Sequence, residues 1–210
     1  MVNIRNFLNK NNLYIYYWRL KDMQKILFQI LIFIFIGGTA MATQNDKIIY
    51  DFTKEQDYKE WRVINDTVMG GISQSRMEKC GKGLVCFAGT VSLENSGGFC
   101  SASSLPAQTY DLSKFEGIKI RLKGDGKKYK ATLKNDTSFN GFVYQFGFKT
   151  EAGKWIDVNA HFNKFIPVFR GVVQESAEKL NKGKIESFGF IIADKQAGEF
   201  RLEIDNIKAY

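Results

Sequence analysis

The sequence predicts an all-β sandwich, and three observations carry that reading. Apolar residues recur at every second position in about eleven short runs, as Ile118, Ile120 and Leu122 do against Lys119, Arg121 and Lys123. Gly, Asn and Asp separate these runs at regular intervals, the spacing of a sandwich or barrel. Helical character is confined to residues 175–182, where Ala177, Leu180 and four charges suffice for a turn or two. A chain of 210 residues, 44% hydrophobic and 25% charged, is ordinary for one globular domain behind a targeting segment.

The amino-terminal part reads as that segment. Residues 26–36, ILFQILIFIFI, are followed by Gly37-Gly38-Thr39 and then Ala40-Met41-Ala42. The run is much shorter than the ~20 residues that span a bilayer. A short basic start, a short apolar run and an A-x-A site describe a secretory signal peptide cleaved after Ala42. Met23-Gln24-Lys25 stands directly before the run, so residues 1–22 are expected to be an extension upstream of the true start, and residues 23–42 the signal peptide. The domain of residues 43–210 is then exported, periplasmic or secreted rather than membrane-anchored. At ~168 residues it buries ~70% of its unfolded surface without needing a disulfide.

Along that domain, residues 48–52 and 60–64 form the first two strands. The stretch Asn65-Asp66-Thr67-Val68-Met69-Gly70-Gly71-Ile72-Ser73 turns the chain, its paired glycines admitting backbone angles closed to other residues. Residues 73–80 and 84–93 then make a hairpin about Gly81-Lys82-Gly83. Asn95-Ser96-Gly97-Gly98 turns again before a strand at 99–102. Gly124-Asp125-Gly126 lies between alternating runs, a strong local hairpin signal. Phe142, Tyr144, Phe146 and Phe148 form an aromatic strand face, followed by strands around Ile156, Phe190 and Leu202. The apolar, irregular stretch at 162–171, anchored by Pro167, is expected to cross one end of the sandwich.

Three cysteines remain. With Lys82 at the hairpin centre, Glu78 faces Cys86 and Cys80 faces Leu84, which leaves Cys80 and Cys86 poorly placed to bridge. Cys86 with Cys100 on neighbouring strands stays open, as does a set of three reduced, buried thiols. Their spacing matches no zinc motif, and His161 is the sole histidine.

Chemistry is sparse. There is no G-x-S-x-G elbow, H-E-x-x-H, P-loop or G-x-G-x-x-G. Asp66, Asp125, Asp194 and Asp205 each sit in or beside a turn, where Asp serves backbone bonding rather than a glycosidase pair. Of the net charge of +8, half lies before residue 43, and the rest is spread without basic runs beyond Lys127, Lys128 and Lys130. That pattern argues against a nucleic-acid footprint. Trp155 is out of phase with Ile156 and Val158, which turns it outward beside Asp157 and Asn159, as on sugar- and peptide-binding surfaces.

Several stretches together resemble the complex I intermediate-associated protein 30 family. They are Trp61, Asn65-Asp66 and Val68-Met69-Gly70-Gly71 with Ser73; Phe87, Gly89 and Val91-Ser92; Asn95 and Gly97-Gly98-Phe99; Arg121 and Lys123-Gly124-Asp125-Gly126; Phe162, Phe165 and Pro167; Phe169-Arg170-Gly171; and Asp194-Lys195-Gln196-Ala197-Gly198. The resemblance covers the domain in order, departing where the family often has Arg and this chain has Ser103, and where it often has Pro and this chain has Glu199. It implies a galactose-binding-like jelly-roll β-sandwich, similar to carbohydrate-binding modules. It also implies a non-enzymatic, chaperone-like assembly protein for respiratory complex I that needs no cofactor. The expected partner is a protein, membrane-embedded respiratory subunits included; the alternative is an extracytoplasmic carbohydrate-binding module. The candidate partner- or ligand-binding residues are Trp61, Asp66, Met69, Trp155, Arg170 and Gln196. The Asn65–Ser73 glycines are explained by backbone geometry; Met69, an apolar side chain in a polar turn, is the residue there that asks for a partner.

Overall fold

The computed structural model describes residues 46–136, 138 and 141–210. The expected upstream extension, signal peptide and cleavage after Ala42 lie outside the described residues. Among the described residues no helix is long and apolar enough to cross a membrane.

Alternation becomes strands throughout. In chain order they are β1 (Lys47–Tyr50), β2 (Trp61–Asn65), β3 (Gln74–Gly81), β4 (Leu84–Val91), β5 (Cys100–Ser104), β6 (Gly117–Lys123), β7 (Lys128–Lys134), β8 (Val143–Lys149), β9 (Trp155–His161), β10 (Ile166–Phe169), β11 (Val172–Val173), β12 (Ser187–Ile192) and β13 (Gly198–Ala209). A six-stranded sheet runs β3-β4-β13-β6-β9, with β1 also on β13; a seven-stranded sheet runs β11-β10-β8-β7-β12-β5-β2. Thirteen strands among the described residues replace the expected eleven, because β10 lies within the supposed crossing and β11 follows directly after it.

The longest strand, β13, holds the six-stranded sheet together. It pairs with β4 from Gly198↔Val91 to Ile204↔Val85 and with β6 on its other side. Beyond Ile204, where β4 ends, β1 takes up the pairing with Tyr50 opposite Ile207, and on the other side the β6 register shifts between Ile204 and Asn206. Phe200, Leu202 and Ile204 point inward with Phe87, Ile120 and Leu122, and meet Tyr129, Leu133, Phe188, Phe190 and Ile192 from the other sheet. Face-to-face burial of such alternating rows is the stabilising unit of a sandwich.

Several local expectations change. The Asp125 turn makes no hairpin: β6 pairs with β13 and β9, whereas β7 pairs with β12 and β8, so the chain crosses between sheets there. The Asp125 carboxylate redirects it by accepting from Lys127 N (3.0 Å), Arg201 N (2.9 Å) and the Tyr129 hydroxyl (3.0 Å). Residues 162–171 do not cross one end as irregular chain. A 3-10 turn at Phe162–Lys164 leads into β10, which pairs with β8 and returns as β11 through Arg170 and Gly171, at φ 47° and 81°. Two consecutive positive φ angles are the signature of a type I′ hairpin turn. Residues 175–182 form a turn at 175–176 followed by irregular chain, and the helix, α1, is instead Glu55–Lys59. Five residues are too few to display a helical period.

The cysteine expectation is also corrected. Cys80 and Cys86 form a disulfide, with Cα atoms 5.8 Å apart, and Cys100 is a buried free thiol. Glu78 does face Cys86, but a register shift between Lys79 and Gly81 moves Cys80 towards it. Cys100 lies in the other sheet, and burial pushes its thiol up to about 11. Native protein is therefore expected to show no thiol reactive towards a disulfide reagent, and one after unfolding without reductant. Reducing the disulfide is expected to cost about 2 kcal/mol in urea denaturation, the loop-closure entropy of so short a ring.

Candidate functional site

The seven-stranded sheet hands the chain to the six-stranded one between β2 and β3, and one carboxylate organises that passage. After Asn65, the residues Asp66–Met69 form a 3-10 turn closed by Gly70 at φ 91°. Asp66 is 1% exposed. Its Oδ1 accepts from Ser73 N at 2.9 Å, while its Oδ2 accepts from Ser73 Oγ at 2.5 Å, Gly98 N at 2.6 Å and Phe99 N at 3.2 Å. Backbone bonds from Asp66 N to Phe99 O and from Gly71 N to Asp66 O complete the frame. Ser73 Oγ in turn accepts from Ser92 N at 2.9 Å. Two loops distant in sequence, 66–73 and 92–99, are thus tied to a single side chain.

The glycines follow from that side chain. A Cβ on Gly71 would stand 2.4 Å from Asp66 Oδ1, and one on Gly97 would stand 2.6 Å from Oδ2. The carboxylate occupies the space their side chains would need. Asn95 and Ser96 hold left-handed backbone at φ 52° and 62°, a costly conformation for non-glycine residues that persists where the surroundings impose it. Burial pushes the Asp66 carboxyl up, but the bonds from Ser73, Gly98 and Phe99 outweigh it and hold it below the usual carboxylate range.

With its interior filled by polar groups, this end of the sandwich turns apolar side chains outward. Met69 is 77% exposed, Val68 61%, Ile72 46%, Leu93 43% and Ile64 38%. Sequence reasoning singled out Met69 but missed Val68, Ile72, Leu93 and Ile64. The available signal was the same as for Met69, namely large apolar residues inside or beside glycine-rich turns. Such a set on braced loops can bury apolar surface against a partner.

The other candidate residues lie elsewhere. Trp61 is buried, its ring stacked on Phe190 with centroids 5.8 Å apart, so it belongs to the core. Trp155 begins β9 on the outer face of the six-stranded sheet, half-buried, with Arg121 5.6 Å and Lys123 5.4 Å from its ring. Because β9 and β3 are opposite edges of that sheet, four strand spacings (~19 Å) separate Trp155 from the Asp66 loops. Arg170, at the β10–β11 turn, places its guanidinium 5.2 Å from the Phe169 ring, at the edge of the seven-stranded sheet opposite β2. Gln196 bridges strands: its Oε1 accepts from Lys128 N and its Nε2 donates to Lys128 O, both at 2.8 Å. The structure brings together Asp66 and Met69 and leaves Trp155, Arg170 and Gln196 apart. Among the described residues no His, Cys, Asp and Glu cluster is arranged to hold a metal.

Asp66→Asn tests the brace. Replacing a buried acceptor of four hydrogen bonds by an amide, which sets an N–H against those donors, is expected to cost about 2–3 kcal/mol at pH 7. Because the folded carboxyl titrates below its unfolded value, its contribution is present above about pH 4 and is lost as pH falls through the folded value. Urea denaturation at pH 7 and pH 3 should show the difference between variant and parent shrinking with acidification.

The comparisons with known proteins agree with this architecture. Solved structures similar to the chain include a family 11 carbohydrate-binding module of a Clostridium thermocellum cellulase, with TM-score 0.57 and 18% identity over 79% of this chain and 94% of that module. An exo-β-agarase matches with TM-score 0.51 and 11% identity over 78% of this chain and 25% of its own. At such identities these likenesses speak for the fold alone. Among sequence relatives, the mouse protein named complex I intermediate-associated protein 30, mitochondrial, is 29% identical over 184 residues, 78% of this chain and 56% of its own length. The Drosophila melanogaster protein of that name is 24% identical over 181 residues, 76% of this chain and 61% of its own. The chain therefore spans a little over half the length of these relatives. Their mitochondrial names overturn the expectation of an exported, periplasmic or secreted protein. The model of the complex I intermediate-associated protein 30 family matches residues 50–204, and the chain belongs to that family.

Proposed function

We propose that the chain is a non-enzymatic binding protein that takes part in the assembly of respiratory complex I. In this reading it engages a protein partner through the Asp66-braced loops. The observation that carries the proposal is the exposed apolar set of Val68, Met69, Ile72 and Leu93 on two loops tied to one buried carboxylate, with Ile64 exposed on the strand that leads into the first. Methionine suits such a surface because its unbranched, polarizable side chain adapts to a partner's contours. A rigid support lowers the ordering cost of association. Family membership and the relatives' names supply complex I as the setting.

A glycan reading, centred on Trp155, has weaker support. Sugar stacking needs an open ring face, and Arg121 and Lys123 already lie against this one.

Capture of complex I assembly intermediates from detergent extract tests the proposal. Met69→Asp is expected to weaken capture at least about tenfold, the effect of burying an unpaired charge in an apolar contact. At 77% exposure it should leave the melting temperature within about 2–3 °C of the parent. Trp155→Ala should leave capture unchanged. A large fall in melting temperature for Met69→Asp would assign the turn to the core and withdraw the site.

A further inference from the structure

The outer face of the seven-stranded sheet carries a second feature, independent of the Asp66 loops. Strand register places Arg62, Ser103, Gly189, Thr132, Gln145 and Ile166 in one row across β2, β5, β12, β7, β8 and β10. Their neighbours Trp61, Ala102, Phe188, Phe190, Ala131, Leu133 and Tyr144 belong to the core, so the row faces away from it. Five strand spacings make it ~24 Å long. Its middle is recessed. Thr132 is 6% exposed despite facing outward, and Gly189 has no room for a side chain, since a Cβ there would stand 2.5 Å from Thr132 Oγ1 and 2.6 Å from Ala102 O. Lys130 and Lys134 rise on either side of Thr132 along β7, forming walls to this floor. The Ser103 and Thr132 hydroxyls and the Gln145 amide bond no other described group, which leaves their hydrogen-bonding capacity to whatever occupies the trough.

We propose that this trough receives an extended, acidic polypeptide segment lying across the strands. Its length matches about seven residues of extended chain. Hydroxyl and amide groups along the floor can bond a peptide backbone, which offers donors and acceptors in alternation. The charge on this face selects the occupant: Arg62, Lys128, Lys130, Lys134 and Lys149 project from it, and the rim carboxylate of Asp194 is already paired with Lys130 at 2.8 Å. No aromatic ring stands in the row, so the stacking that holds a sugar chain is missing from it. The inference rests on the reading of the chain as a protein-binding module and gives it a second, separable contact.

Fluorescence anisotropy of the full chain with a labelled twelve-residue Asp/Glu/Ser/Gly peptide tests the trough. Saturable binding is expected, weakened at least about fivefold by Arg62→Glu and by Gln145→Glu, each of which sets like charge against the ligand. Arg76→Glu, an equal charge change at the exposed edge of the six-stranded sheet, should leave affinity within about twofold, and Met69→Asp likewise. Lack of saturable binding, equal weakening by Arg76→Glu, or displacement of the peptide by a neutral β-glucan tetrasaccharide overturns the proposal. Capture through Met69 is measured separately, so failure of the trough and failure of the proposed function give different results.

Discussion

The buried Asp66 carboxylate is the constraint on which this end of the molecule depends. A charge removed from water costs several kcal/mol unless hydrogen bonds replace its hydration. Here Ser73, Gly98 and Phe99 supply four. Meeting that requirement fixes much else. Gly71 and Gly97 must lack side chains, Ser73 must sit where it also reaches Ser92, and the two loops must stay together although about thirty residues separate them. Because polar atoms fill the interior of this corner, Val68, Met69 and Ile72 have no core to enter and remain in solvent.

Most residues that identify the family turn out to serve the frame. Asp125 redirects the chain between sheets, Gln196 imitates a strand by bonding both backbone groups of Lys128, and Arg170 occupies a tight hairpin turn. Trp61 fills the core beside Phe190. Membership in the family is thus strong information about fold and weaker information about contact surfaces, since function lives in sites carried by a fold. Residues the frame does not need, above all the exposed Met69, are the ones left to meet a partner.

Sheet faces were legible in the sequence because period-two alternation is itself the packing rule: Ile118, Ile120 and Leu122 point inward, as do Tyr144, Phe146 and Phe148. The Glu78–Cys86 register was legible from the hairpin, but the shift beside Cys80 was not, and the disulfide depends on that shift. Asp125-Gly126 carried a hairpin signal, yet tertiary bonds to Arg201 decided its geometry, and no local pattern encodes a partner seventy-six residues away. The stretch from 162 to 173 concealed β10 and β11 because short strands leave too little alternation to read. At the candidate site, the turn at Asp66 and the exposure of Met69 could be anticipated from glycine and apolar placement. Leu93 comes to the same corner through the β3–β4 hairpin register, but the return of Gly98 and Phe99 to Asp66 could not be read, because no local pattern encodes a bond over thirty-two residues.

The central claim is that the Asp66-braced corner is the surface that meets the partner. Hydrogen–deuterium exchange of the full chain, alone and bound to complex I assembly intermediates, tests it most directly. The account predicts new backbone protection on binding at residues 66–73 and 92–99, with β9 and Trp155 unchanged. Protection confined to β9, with both loops exchanging as in the free chain, would contradict it.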